Sequence, residues 1–215
     1  MIRLISFEGG DGSGKSTQLR LLENYLSGRG QPCMCTREPG GTKLGKMIRK
    51  VLLEAGDERI YSQTELFLYL ADRAQHVQEV IEPALASGRL VLCDRFTDST
   101  LAYQGYGRGV DLGMLRQMNA IASRDITPDL TFLLDCPVEL GLSRTARRME
   151  EQRAAEGRED RFEREKIEFH ERVRQGFLEL ARAERNRFCV LDASRSIQEV
   201  HGQIREAVNQ RLRGD

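Results

Sequence analysis

The run Gly9-Gly10-Asp11-Gly12-Ser13-Gly14-Lys15-Ser16 follows directly on the apolar stretch Ile2–Phe7, and Leu19, Leu22 and Leu26 recur behind it at helical spacing. Its pattern is G-x-x-x-x-G-K-[ST], set between a strand and a helix as a phosphate-binding P-loop must be. Glycines let backbone N–H groups turn inward towards phosphate oxygens, and the helix N-terminus adds the positive end of its dipole. Lys15 is placed to reach the β- and γ-phosphates and the Ser16 hydroxyl to ligate Mg²⁺. Residues Gly9 to Thr17 are therefore expected to hold the phosphates of ATP.

Four more short apolar runs follow: Cys33–Thr36, Leu90–Cys93, Leu130–Leu134 and Phe188–Leu191. Like the first, each ends close to a polar residue, in order Glu8, Arg37, Asp94, Asp135 and Asp192. Helical patterns separate them, over Ser16–Leu26, Ser62 to about Ile81, Thr97–Tyr103, Leu112–Ser123, Pro137–Arg148, Arg164–Glu184 and Ile197–Leu212. Ser62-Gln63-Thr64-Glu65 reads as a capping box, and Pro83 kinks or restarts its helix. Apolar strands alternating with helices predict an α/β fold, a five-stranded parallel sheet with helices on both faces. Ligands in such a fold bind beyond the carboxyl ends of the strands, where the polar residues lie.

The 215 residues make one domain, residues 1–215, large enough for a substantial core. Lys and Arg number 33 and Asp and Glu 33, a balance that argues against a nucleic acid polymer as partner. No apolar run nears the ~18 residues of a membrane span, and the N-terminus lacks the pattern of a secretory signal, so a cytoplasmic location with no membrane contact is expected. Cys33, Cys35, Cys93, Cys136 and Cys189 show no C-x-x-C spacing and read as reduced, buried packing residues.

A P-loop fixes a triphosphate site, not a reaction. No N-K-x-D is present to read guanine. Leu90–Asp94 has the shape of an ATPase strand ending in Asp, but Arg95 follows at once. A non-enzymatic nucleotide sensor or an ATPase with a protein partner remains an alternative, as does a kinase of another nucleoside monophosphate or of a deoxynucleoside. A second cluster of cations favours a kinase that holds two anionic substrates tip to tip. Arg37 and Arg95 end neighbouring strands facing the P-loop, guanidinium forks suit phosphate, and Asp94 is placed to hold Mg²⁺.

Thr36-Arg37-Glu38-Pro39-Gly40-Gly41-Thr42, Asp94-Arg95-Phe96, Ala102-Tyr103-Gln104-Gly105 and Asp160-Arg161-Phe162-Glu163, in this order after Phe7-Glu8-Gly9 and the P-loop, resemble the thymidylate kinase family. The resemblance spans Phe7 to at least Val173 and implies transfer of the ATP γ-phosphoryl group to dTMP, giving dTDP for dTTP biosynthesis, with Mg²⁺, in a homodimer. It implies that Arg37 and Arg95 bind the acceptor phosphate, Lys15, Arg95 and a lid arginine serve catalysis, and Asp11 contacts the 3′-hydroxyl. Tyr69 stands where the family usually has a stacking Phe, and Arg73, four residues on, matches the arginine that bonds a thymine carbonyl. Thr100 and Gln104 are matched to the thymine edge, and Tyr103 to packing under the deoxyribose. Phe67 points the other way from Tyr69 and is expected in the core.

Some relatives carry an arginine after the P-loop Asp; here Gly12 occupies that position, which resembles the subtype whose lid supplies the cation. Residues 144–174 hold 10 Lys/Arg and 9 Asp/Glu, which fits either a solvated helical hairpin or a lid at about 144–163 that closes over an anion. Arg144, Arg148, Arg153 and Arg158 are the candidates and Arg148 the preferred one; Arg161 closes the segment and is an anchor by ion pairing.

Overall fold

The computed structural model describes residues 2–31, 33–53, 60–153 and 165–213, with side chains throughout except those of 148–153 and 213. Five strands, β1 (Leu4–Glu8), β2 (Cys33–Arg37), β3 (Leu90–Asp94), β4 (Leu130–Asp135) and β5 (Phe188–Asp192), form one sheet in the order β2-β3-β1-β4-β5. Every pairing is parallel. Each strand runs into the polar residue that closes its apolar run, because those residues still pair: Arg37 lies beside Asp94, and Asp135 beside Asp192.

Alternation along β1 divides the core. Ile5 and Phe7 pack with Leu22 and Leu26 of α1 (Lys15–Ser27) and Ile204 of α9 (Ile197–Arg213) on one face. On the other, Leu4 packs with Val77, Ile81 and Phe96. A second cluster there joins α3 (Ser62–His76), α6 (Leu112–Ser123) and α8 (Ile167–Ala183) around Leu66, Leu115 and Phe177. β1 is wholly buried, so it holds the P-loop at the centre of the carboxyl edge.

The helix after Ser62 is three pieces: α3, a π-helical turn at Val77–Ile81, and α4 (Glu82–Ala86) restarting at Pro83. The helix expected over Thr97–Tyr103 is α5 (Thr97–Thr100) running into a π-helix over Leu101–Gly107. α2 (Lys43–Leu53) has no counterpart in the sequence reading, and α7 (Val138–Arg153) runs past its expected end at Arg148. The capping box does not form. Ser62 is already helical behind the N-cap Tyr61, and Glu65 turns inward to accept from Gln104 Nε2 at 2.9 Å and from Arg108. Phe67, expected in the core, is 56% exposed, because Leu66 takes the inward position. All five cysteines are free; Cys93 and Cys136 are buried and the other three half-buried. Among the described residues no helix is long and apolar enough to cross a membrane, and no three metal-binding side chains cluster.

Candidate active site

The loop after β1 turns by left-handed backbone at Gly12 (φ 70°) and Gly14 (φ 96°). Gly14 caps α1 with no side-chain bond, so no side chain blocks a ligand from the N–H groups that open the helix. Gly12 is needed for space as well: a Cβ there would run into the carbonyl of Gly141 in α7. That contact explains why no side chain stands at position 12. Lys15 folds back over the loop, its Nζ donating to the carbonyls of Gly9 (3.0 Å) and Gly10 (2.7 Å). Burial first, and then the Arg95 charge, pull its pKa down to about 8. The Ser16 hydroxyl donates to Asp94 Oδ2 at 2.6 Å across the cleft between α1 and β3. Two hard oxygen donors beside a phosphate cradle suit Mg²⁺, which takes few protein carboxylates and fills its shell with phosphate and water.

The turn after β3 aims Arg95. Its backbone is left-handed (φ 69°), and its N–H donates to Phe7 O at 3.0 Å. Buried Glu8 holds the next residues, accepting from the Phe96 N–H (2.7 Å) and the Ser99 hydroxyl (2.6 Å). The guanidinium reaches Gly9 O at 3.0 Å, Ser99 Oγ at 3.2 Å, Asp11 Oδ1 at 2.7 Å and Tyr103 Oη at 3.0 Å. Burial alone would raise the Asp11 carboxyl, but Arg95, Lys15 and His170 outweigh it and hold it below its ordinary value. Burial pushes the Tyr103 phenol up, so it stays a neutral donor. Arg95 thus ties the P-loop to the helix that follows β3.

Beyond Arg95 opens a second cleft. Asp11, Tyr69, Arg73, Arg95, Thr100, Tyr103 and Gln104 all line it. Arg73 is 2% exposed and extensively bonded: Nε to Glu38 Oε2 (2.8 Å), Nη1 to Thr100 Oγ1 (2.8 Å) and Asn119 Oδ1 (2.6 Å), Nη2 to Phe96 O (2.9 Å). Tyr69 is half-buried and packs against the apolar cluster that contains Leu66. Gln104 gives its nitrogen to Glu65, an acceptor-only carboxylate, which leaves its carbonyl oxygen for other use.

A phosphate cradle and a second polar cleft with one arginine between them suit phosphoryl transfer between two anionic substrates. Residues 7–204 match the family model described as thymidylate kinase. The chain belongs to the thymidylate kinase family. It is 51% identical over 211 residues to the thymidylate kinase of Desulfovibrio desulfuricans, covering 97% of this chain and 96% of that one. To that of Geobacter sulfurreducens it is 52% identical over 194 residues, 90% of each chain. The crystal structure of thymidylate kinase from Ehrlichia chaffeensis superposes with a TM-score of 0.76 at 33% identity, covering 96% of this chain and 98% of that one.

One placement differs from the sequence expectation. Arg37 is exposed at the tip of edge strand β2 and lines the open cleft with Ser16, Arg20 and Asp94, not the acceptor cavity. Arg49 of α2 stands in that cavity instead, with Nη1 on Pro39 O at 3.1 Å. Arg144 donates from Nη1 to Ala193 O at 3.0 Å. The side chains of Arg148 and Arg153, and Arg158 and Arg161 altogether, lie outside the described residues. Sequence reasoning passed over Glu8, Glu38, Arg49 and His170. His170 is buried on the P-loop side of Asp11, with no partner for Nε2 among the described residues. The one signal for Glu38 in the sequence is its place in Thr36-Arg37-Glu38-Pro39-Gly40-Gly41-Thr42.

Proposed function

We infer that the chain is an ATP-dependent dTMP kinase, transferring the γ-phosphoryl group of ATP to the phosphate of dTMP to give dTDP. The observation that carries the reading is Arg95, whose guanidinium bonds the P-loop at Gly9 and Asp11 while lining the second cleft. The acceptor phosphate is already an oxyanion, so the chain needs to position and stabilise charge, not to remove a proton.

In this reading Gly9 to Thr17 bind ATP, with Lys15 leaving the loop carbonyls for the β- and γ-phosphates. Ser16 and Asp94 hold Mg²⁺, which neutralises the phosphate charge that builds up in transfer. Arg95 grips the dTMP phosphate, and Arg49 is better placed than Arg37 to join it. Asp11 accepts from the 3′-hydroxyl and Tyr103 packs under the sugar. Tyr69 stacks on the base, Arg73 donates to a carbonyl, Thr100 sits at the same edge, and the Gln104 carbonyl suits the N3–H of thymine. Arg148 is the cation the lid at about 144–163 brings in. The single domain over 1–215 works in the cytoplasm. It is a homodimer, for which the support is exposed apolar side chains on adjoining helices α2, α3 and α6: Met47, Val51, Phe67 and Ile121. Equilibrium sedimentation tests that assembly.

Coupled ADP release with dTMP, dUMP, dCMP and UMP as acceptors tests the reaction. dTMP should be best. dUMP follows, since one methyl separates the two by only ~1–3 kcal/mol. dCMP presents an amino donor to Arg73, and UMP crowds its 2′-hydroxyl against Tyr103, so both should lag far behind. Comparable activity with dCMP or UMP would overturn the base-site reading, and ADP release independent of any acceptor would overturn the kinase reading.

A further inference from the structure

We propose that Glu38 is a positioning residue for base selection: it fixes the plane of Arg73 so that the one guanidinium hydrogen left over faces the base. This rests on the reading of Arg73 as the group that meets the thymine carbonyl.

Arginine has five N–H donors. Four of those on Arg73 are committed inside the protein, to Glu38, Thr100, Asn119 and Phe96. One Nη2 hydrogen remains for a ligand. Of the four acceptors, Glu38 alone is a carboxylate, and it takes the Nε edge at 2.8 Å, the bond that sets rotation of the whole fork. Both side chains are almost wholly buried, at 2% and 3% exposure, so water cannot substitute for either partner.

Glu38 is itself pinned. Its other oxygen, Oε1, lies 2.9 Å from His76 Nδ1, and His76 Nε2 lies 2.6 Å from Thr36 Oγ1 on β2. A proton on Nδ1 lets the imidazole donate to Glu38 while accepting from the threonine hydroxyl. The backbone N–H of Glu38 donates to Asp94 O at 3.0 Å, tying it to the end of β3, one residue before Arg95. The carboxylate is therefore held from the sheet, from the α3 imidazole and by the arginine it orients. Thr36, Glu38, Arg73 and His76 form one chain from β2 to the base end of the cavity, which Glu38 itself helps to line.

A fixed donor tells O4 of thymine from the amino group of cytosine, because the guanidinium has no acceptor to offer the amino group and, so held, cannot swing aside. Loosening it should raise KM for dTMP and blunt the rejection of dCMP, leaving KM for ATP in place.

The experiment measures kcat/KM for dTMP and dCMP with purified Glu38→Gln and Glu38→Ala, with melting curves for each. The ratio of the two constants does not depend on the fraction of enzyme folded, so a merely destabilising change leaves it alone. Glutamine keeps a neutral acceptor and should fold should the alanine variant fail to. The dTMP/dCMP ratio should fall severalfold in Glu38→Gln and roughly tenfold to hundredfold in Glu38→Ala, the span of one charged hydrogen bond. A wild-type ratio in the folded variants overturns the proposal. Arg73→Lys is run alongside: if it too keeps the wild-type ratio, the base reading of Arg73 has failed, whereas an altered ratio in Arg73→Lys alone rejects Glu38 only.

Discussion

Arg95→Lys separates charge from geometry at the junction of the two sites. The guanidinium makes four contacts through Nη1 and Nη2, with Gly9 O and Ser99 Oγ on one side and Asp11 Oδ1 and Tyr103 Oη on the other. A lysine keeps the positive charge but concentrates it on one nitrogen with three donors. It cannot hold the Gly9 carbonyl and Asp11 together and still offer a fork to a phosphate. Each charged hydrogen bond lost is worth ~1.5–3 kcal/mol. Losing one of the two arms to the dTMP phosphate then costs roughly 10- to 150-fold in kcat/KM for dTMP. The loss should be shared between KM and kcat, because the same group meets the phosphate in the ground state and the transferring group later. The backbone adds no confusion: residue 95 sits at φ 69° whether it is Arg or Lys, so the strain there is unchanged. Coupled ADP release, titrating dTMP at saturating ATP and then the reverse, gives the constants. A variant in which only KM for ATP moves would place Arg95 in the donor site and refute the reasoning.

Lys15→Ala should cut kcat by roughly a hundredfold or more with the melting temperature little changed, since its charge acts where negative charge builds up; near-normal kcat in a folded variant ends that assignment. Gly12→Ala sets a Cβ on the Gly141 carbonyl at φ 70°, and left-handed backbone alone costs roughly 1–2 kcal/mol. A lower melting temperature is therefore expected, and an unchanged one would mean the loop yields freely there. Glu8 carries a pH signature, for burial, with the Asp98 charge second, pushes its pKa from 4.5 to about 8. A raised carboxyl binds its proton more tightly in the folded state. Its stabilising contribution is complete below about pH 4.5 and drains away as the pH rises to about 8. Glu8→Gln should flatten the fall in melting temperature across that window, and parallel curves for the two proteins would refute it.

How much of this was legible in the sequence depended on whether a signal was local. The P-loop, the five strands and α6, read as Leu112–Ser123 and found there, rest on periodicity and spacing within a few residues. α2 went unread although its signal is local: Leu44, Met47, Ile48, Val51 and Leu52 recur at i, i+3, i+4, i+7 and i+8 on one face, of which Ile48 and Leu52 go inward while Leu44, Met47 and Val51 stay exposed. Arg49 was lost with it. The π-helix over Leu101–Gly107 has no local code; it is set by close packing, with Gly107 against Phe169 and Gly176 of α8 against Tyr106. Which cleft Arg37 lines is not legible in the sequence. Successive strand residues face opposite ways, and β2 is a half-buried edge strand with no clear alternation to say which way residue 37 or 38 points.

The residues most deeply hidden from sequence reasoning are the acids, and a physical reason ties them together. A site for two nucleotides needs arginines, and an arginine out of water must be paired before its ligand arrives. Arg95 has Asp11, 84 residues away, and Arg73 has Glu38, 35 residues away. Glu8 serves no arginine directly but holds the turn that aims Arg95. Spacings that long leave no pattern in the chain, so motif reading assigns each arginine to its substrate and leaves its counter-ion unnamed. The pairing also limits what a phosphate gains on entry: it competes with Asp11 for a guanidinium already satisfied, so binding there displaces a bond as well as making one. In the proposed reaction, that exchange would hold back binding of the ground state more than binding of the transferring group.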